Sequence, residues 1–451
     1  MPYDTAPTVF CRTWAWLAAI AAAAPFAATS AFAQGAPTTA APPAAAAPAA
    51  PAAPAAPAAW VDGIKFGLQL EGGVVFNTAG PSNAENFGQL FTDGANNFQL
   101  NQVMATMQRT PDPKVDYDLG FALQALYGTD GRYLHYVGVW DRGTDMRYQP
   151  ALIQANVQLH TPWLFDGGID LKAGMYPTPI GYEVIDPSQN PFYSHSYIFN
   201  FGIPLMHTGI YAVAHATDMI DVYLGVDSGV NTSLGPYVGD NNSSYSGMGG
   251  FNLTLLGGNL TILALTHIGP ENPGHTVPLA NRYNRYIADT VITWKTTDKL
   301  TLTTELDYIH DDNPAVDKAT AFGGAEYASY TLSDTLTLNG RIEVFDDENN
   351  FFVAAFPGNK DFAVAQAGYS LPLTAYSAGP LGKSTTYGEL TLGVTYKPSG
   401  LPAPISGLLI RPEIRYDTTL NGVKAFNGPP VTGAGKDTGV LTLAADFVLT
   451  F

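Results

Sequence analysis

A chain of 451 residues with a formal net charge of −18 has only 21 lysines and arginines, too few for the basic clusters that bind phosphate, which excludes nucleic acid as a partner. Charged residues make up 13%, against about 25% in ordinary soluble domains, while 46% are hydrophobic. Downstream of the N-terminus no window approaches the ~18 consecutive apolar residues of a spanning helix. The abundance of Gly, Tyr and Phe suits twisted sheets with aromatic girdles.

In chain order, Arg12 and the apolar stretch "WAWLAAIAAAAPFAATSAFA" lead to a small-residue cleavage site, Ala31-Phe32-Ala33. This pattern predicts a signal peptide over 1–33 and a mature chain from Gln34. The single cysteine, Cys11, lies inside it, so the mature chain has no disulfide, thiolate nucleophile or cysteine metal ligand. Residues 34–59, "QGAPTTAAPPAAAAPAAPAAPAAPAA", form an Ala/Pro-rich disordered spacer that cannot bury a core. At about 3.1 Å per residue it would reach on the order of 80 Å.

From Trp60 the pattern becomes alternation. "IKFGLQLEGGVVF" sets Ile64, Phe66, Leu68 and Leu70 against Lys65, Gln69 and Glu71, and "LTLTTELDY" and "LTLNGRIEV" repeat the period of two. Sixteen such segments fall near 62–76, 98–109, 115–127, 151–160, 168–176, 208–215, 219–227, 247–256, 260–267, 285–296, 299–308, 322–332, 335–345, 386–397, 407–416 and 439–451. The connections alternate between short ("ATD", "GGN", "SD") and long, the asymmetry of tight periplasmic turns and extended outer loops. A soluble sandwich would not sort its loops this way, and helices are ruled out by the period. The expected fold is all-β: a closed antiparallel transmembrane barrel of about 16 strands over 60–451. Pro412, inside the fifteenth segment, cannot donate to a ladder and calls for a bulge.

Greasy faces then meet lipid and polar faces line an aqueous lumen. Lys172, Arg341, Arg411 and Arg415 fall on that polar face with Glu71, Asp118, Glu305, Asp307, Glu343, Glu413, Asp417 and Asp446. Such charges either focus ions or pair laterally and stiffen the wall.

The blocks "FQLNQVMATMQR", "YDLGFALQALYGTDGRY", "IDLKAGMYPTPIGYEVIDPSQNPFYSHSYIFNFGIPLMHTGIYA" and "RIEVFDD" resemble those of the OmpL-like putative beta-barrel porins of Gram-negative bacteria. The resemblance runs over most of 60–451 and implies an outer-membrane diffusion channel, without naming a solute. In sixteen-stranded general porins the third outer loop folds inward. Here that loop is near 177–207, and Glu183, Asp186, Ser194 and His195 are its constriction candidates. Arg341, Arg411 and Arg415, with Lys172, Glu343 and Glu413, would face them from the wall. Phe192, Tyr193, Tyr197, Phe199 and Phe201 could instead pack the loop as a plug.

Other chemistry is not expected. "SHS" at 194–196 lacks an orienting carboxylate and an oxyanion hole in sequence, so no catalytic residue is assigned. His207 and His215 match no metal-ligand spacing, and the acidic stretches 310–318 and 346–350 lack the calcium-loop pattern and read as solvated loops. Neither metal nor cofactor is expected. The reading is a porin-like channel, not an enzyme, for passive diffusion of small hydrophilic solutes. The alternatives are an adhesin or structural barrel and, less well supported, a lipase-like barrel enzyme. Expected partners are outer-membrane lipid and lipopolysaccharide, the solutes, the barrel-assembly machinery and, by analogy, two further copies in a homotrimer. The closing "VLTLAADFVLTF" reads as the last strand, with Phe447, Leu449 and Phe451 facing lipid and the terminal Phe451 resembling the signal that assembly machinery reads.

Overall fold

The computed structural model describes residues 60–140, 146–234, 240–274, 277–312, 319–354, 384–428 and 435–451. The signal-peptide and spacer readings (1–33 and 34–59) lie outside them. Trp60–Gly63 is a 3-10 turn.

Sixteen strands follow. They are β1 Lys65–Asn77, β2 Asn97–Arg109, β3 Asp118–Gly128, β4 Gln149–Thr161, β5 Ile169–Pro177 and β6 Met206–Thr217. Next come β7 Ile220–Val230, β8 Ser246–Leu255, β9 Leu260–Pro270, β10 Asn284–Lys295 and β11 Leu300–Asp311. The last are β12 Ala319–Ser333, β13 Leu336–Asp347, β14 Thr385–Tyr396, β15 Gly407–Thr419 and β16 Gly439–Thr450. Each pairs with its sequence neighbours, and β1 pairs with β16 through Gln69–Thr450 to Asn77–Thr442, closing the barrel. Closure removes the edges, so every strand finds partners on both sides without water. All sixteen expected segments coincide with strands, their ends moving by a few residues.

The alternation faces as expected. On β16, Thr442, Asp446 and Val448 are buried inside, while Leu443 is exposed on the outer face. Exposed outer residues such as Ile210, Leu224 and Leu392 form the apolar band. Tyr117, Trp163, Trp294, Tyr330 and Tyr396 ring its short-turn end, where Trp163 Nε1 donates to Tyr117 Oη at 3.3 Å.

Pro412 corrects one expectation. Gly393–Glu413 and Tyr396–Ile410 keep one register with no bulge, and the ladder opens between them because proline has no N–H to give. Pro412 still pairs with Ala445 on the other side. In the same stretch the Thr395 side chain donates from Oγ1 to Pro191 O of the third loop.

The acidic stretch 346–350 is also not simply solvated. Asp346 and Asp347 end β13, and the Asp347 carboxylate accepts the N–H groups of Phe351, Phe352 and Val353 at 2.9–3.0 Å, nucleating the turn Phe351–Ala354. Residues 313–318 of the other acidic stretch lie outside the described residues.

The hydrophobic core sits inside the barrel. Leu90 and Phe91 of the first long loop, Leu134 and Tyr136 of the second, and Ile180, Phe192, Tyr197 and Phe199 of the third form one buried cluster with wall residues such as Tyr327 and Phe345.

Candidate functional site

The third outer loop, 178–205, leaves β5 and returns to β6 after crossing the barrel interior. A buried loop must find partners for its own backbone N–H and C=O groups. It has a 3-10 turn at Pro187–Gln189, capped by Asp186 through Ser188 N at 3.0 Å, and a π turn at Ile198–Gly202. Between these turns it cannot satisfy itself.

The wall does so with charges. Glu413 on β15 accepts from Tyr193 N at 2.9 Å and from Ser194 N at 3.2 Å. On β13, Glu343 accepts from Tyr197 N at 2.7 Å and Ile198 N at 2.8 Å, and Glu305 on β11 accepts from Tyr182 N at 2.8 Å. Arginines take the opposite groups. Arg341 donates to Ser194 O at 2.9 Å, Arg411 to Pro187 O at 2.7 Å and Asn190 O at 2.8 Å, and Arg415 to His195 O at 2.6 Å. Each guanidinium is also held by a wall carboxylate: Glu389 for Arg341, Asp446 for Arg411 and Asp417 for Arg415. Charge-assisted bonds of this kind are worth about 1.5–3 kcal/mol each.

Glu183 is the loop's own hub. Its carboxylate receives Arg341 Nη1 at 2.7 Å, Tyr327 Oη at 3.0 Å and Ser196 N, and lies 2.6 Å from His195 Nδ1. Burial pushes its pKa up, but Arg341 and His195 outweigh that and hold it at about 2. His195 stacks on Phe199 at 4.0 Å between ring centres. Ser194 Oγ accepts from Arg341 Nη2, and among the described residues no hydrogen bond joins it to the His195 ring.

The sequence-derived candidates therefore divide. Glu183, Ser194, Arg341, Glu343, Arg411, Glu413 and Arg415 are brought together, but buried: the three arginines are at most 1% exposed. They touch the loop directly instead of facing it across an open gap, because its carbonyls and Glu183 need donors that a solvent gap would not supply. His195 is half-buried against Glu183, and Asp186 binds Gln69 Nε2 at 2.9 Å. Lys172 stands apart on β5, partly exposed, its Nζ 5.3 Å from the centre of the Tyr211 ring. Phe447 and Leu449 lie on the outer face, and Phe451 N donates to Leu68 O at 3.0 Å, docking the C-terminal residue on β1. The aromatics Phe192, Tyr193, Tyr197, Phe199 and Phe201 are buried in the loop, as a plug requires.

Across from the braced wall, several inward residues of β3 to β8 remain partly exposed, among them Gln124, Gln154, Gln158, Lys172, Tyr211, Tyr223 and Asn252, while Leu126, Ala151, Ile153 and Met248 pack in the buried cluster. Below the loop a cavity of about 420 Å³ is lined by Gln69, Thr106, Gln108, Gln124, Gln154, Asp186 and Gln189. The stretch "QANVQL" carries the signal that could have found this surface: amides at alternate positions, Gln154, Asn156 and Gln158, with Gln124 of "FALQAL" on the neighbouring strand.

Residues 63–451 match the family described as "Putative beta-barrel porin-2, OmpL-like". The chain matches none of the curated proteins. Among solved structures it is similar to an anion-selective porin from Comamonas acidovorans, with 10% identity, TM-score 0.52 and coverage of 86% of this chain and 99% of that one. It is also similar to the outer membrane channel DcaP of Acinetobacter baumannii, with 10% identity, TM-score 0.50 and coverage of 86% and 97%. A third is OmpT of Vibrio cholerae in its trimer form, with 12% identity, TM-score 0.50 and coverage of 86% and 99%. At these identities the likeness concerns the fold. The family match covers nearly all of the barrel, and the chain therefore belongs to the OmpL-like beta-barrel porin-2 family of outer-membrane proteins.

Proposed function

We propose that this protein is a passive outer-membrane channel for small hydrophilic solutes, which move between the third loop and the uncovered wall of β3 to β8. The observation that carries this reading is the asymmetry of the lumen. One half is sealed by the loop; the other presents partly exposed Gln, Tyr and Lys side chains above a cavity of mixed lining, with Gln124, Gln154 and Asp186 beside Leu68, Met104 and Ile185. In this reading Asp186 and Lys172 meet the solute. Glu183, Ser194, His195, Arg341, Glu343, Arg411, Glu413 and Arg415 are positioning residues that fix the loop and so set the pore's width. Diffusion through a wetted gap needs no covalent step, and the hydrogen bonds of Ser194 and His195 are spent on bracing the loop.

Purified protein in planar bilayers tests the proposal. Stepwise ion currents are expected. A folded barrel that stays silent overturns the channel and favours the adhesin or structural reading, which the dense packing of the loop core otherwise supports. Residues 1–33 are proposed to export the chain and 34–59 to serve as a periplasmic spacer, and the trimer form of OmpT makes a homotrimer the assembly to test first. Contact with lipopolysaccharide would fall on the outer loops. Phe451, with Leu449 and Phe447, is proposed as the signal read by the barrel-assembly machinery. Deleting Phe451 should lower the amount inserted and leave the conductance of each inserted channel unchanged.

A further inference from the structure

At the outer ends of β6, β7 and β9 three inward side chains stand apart from the wall carboxylates and arginines that brace the third loop. They are His207, Asp227 and His267, all buried, with one ligand-type atom of each within 4.8 Å of the others. The strand register explains the meeting: Gly209 pairs with Asp227, and Asp227 pairs with Ser246 of β8, whose other neighbour is β9. His207 and His267 are remote in sequence, and no short motif announces them.

Asp227 lies between the rings. Its Oδ2 is 3.2 Å from His207 Nδ1, and its Oδ1 is 3.0 Å from His267 Nε2. Ligands held about 2.0–2.1 Å from one tetrahedral ion stand about 3.3–3.4 Å apart, so the two contacts of Asp227 are near that spacing. The three atoms together lie within 4.8 Å of one another, and the two rings must close on the ion. His207 Nδ1 is buried and makes no hydrogen bond, although the Asp227 carboxylate is 3.2 Å away.

The surroundings support one tautomer of His207. Its Nε2 is 3.0 Å from Thr178 Oγ1, and a proton held there on Nε2 would leave the lone pair on Nδ1 facing the site. The ring lies beside Tyr176, 5.7 Å between centres. His267 turns its other nitrogen, Nδ1, toward Glu271 Oε1 at 3.8 Å, and this buried atom also lacks a hydrogen bond. A carboxylate behind a ligating imidazole is the usual outer support of such a ligand. Glu271 is itself fixed by Val230 N at 2.7 Å and Ser246 Oγ at 3.0 Å.

We propose that His207, Asp227 and His267 form a binding site for a divalent transition-metal ion of the zinc class. Two neutral imidazoles and one carboxylate suit such an ion, whereas calcium and magnesium take oxygen ligands. Bound there, the ion ties β6, β7 and β9 together across β8. The site does not depend on the channel reading, since a silent barrel would contain it equally.

The test uses the untagged full-length barrel in detergent at pH 7.5, stripped with EDTA and given zinc chloride alone. Because the ligands are buried, a second sample is refolded with zinc present. One zinc per barrel, retained through gel filtration, is expected in at least one sample. His207→Gln and His267→Gln should each abolish retention, and Thr178→Val should weaken affinity about 10-fold by freeing the His207 ring. X-ray absorption on the zinc-loaded wild type gives a readout that needs no variant: a mixed nitrogen–oxygen shell with histidine scattering. No retained zinc under either loading overturns the proposal. So does retention unchanged in folded His→Gln barrels, or a shell made only of oxygen.

Discussion

The two halves of the lumen wall carry similar strands and opposite fates. On β11, β13 and β15 the inward residues are Glu305, Glu343, Arg341, Arg411, Glu413 and Arg415, and loop backbone covers them. On β3 to β6 they include Gln124, Gln154, Gln158, Lys172 and Tyr211, and among the described residues no loop backbone hydrogen-bonds to these side chains. On the braced side the charges are taken up by loop backbone; on the uncovered side amides stand beside water-accessible charges, Lys172 and the group Asp170, His215 and Asp221. A charge on a porin wall is therefore not by itself a pore residue. In low dielectric a carboxylate that accepts two loop N–H groups replaces the water the loop left behind.

The comparison breaks most completely at Arg341. Arg341→Ala leaves Glu183 and Glu389 buried without their cation and strips Ser194 O of a donor. Losing one partner of a buried pair costs about 3–5 kcal/mol. The barrel, held by sixteen ladders, should survive while the loop loosens. The expected outcome is a higher and noisier single-channel conductance, with earlier protease cleavage within 178–205. A variant with wild-type conductance and protease resistance would mean that the charges do not hold the loop.

A smaller effect follows from pH. Glu183 is held near 2 in the fold against an ordinary value of 4.5, so the unfolded or released loop binds the proton more readily. Its contribution is fully present above about 4.5, shrinks as pH falls below that, and is lost through about 2. Conductance should therefore rise as the bath is taken from pH 5 toward pH 2.5. In Glu183→Gln the loop should already be looser at pH 7, and the acid-dependent rise should be much reduced.

Sixteen strands were legible because a barrel wall obeys the shortest period in protein structure, and the loop lengths told its two ends apart. The inward direction of Arg341, Arg411 and Arg415 was legible for the same reason. Their partners were not. Arg411 meets Pro187 and Asn190 more than two hundred residues earlier, through carbonyl groups that every residue possesses and no motif marks. Asp186 pairs with Gln69 on β1, a contact visible only after the barrel closes. Pro412 signalled an irregularity correctly, but the missing N–H alone does not say whether a bulge or an open ladder answers it, and here the register is kept and the ladder opens.

On the uncovered side the expected effect is electrostatic and leaves the fold alone. Lys172 is partly exposed beside Tyr211 and has no ion pair among the described residues. Lys172→Glu should move the cation-to-anion permeability ratio toward cations by roughly twofold at low salt, fading as the Debye length shrinks. Thermal stability should stay within about 0.5 kcal/mol of wild type. Reversal potentials measured across a salt gradient check it. An unchanged ratio would move the conduction path away from β5.

The finest test separates charge from aromatic packing on the braced side. Tyr193 gives its N–H to Glu413 and its hydroxyl to Asn101 Oδ1 at 2.8 Å, and its ring fills the space above Gly73, where a methyl group would lie 2.6 Å from it. Tyr193→Phe keeps the ring and the N–H and deletes only the hydroxyl bond, leaving Asn101 still donating to Phe91 O and Asp130. One such bond is worth about 1 kcal/mol. If wall charges brace the loop, conductance and acid response stay at wild-type values and only the denaturant midpoint slips. If Tyr193→Phe opens the channel as Arg341→Ala does, the loop hangs on its aromatic anchor, and the charged wall merely fills the space behind it.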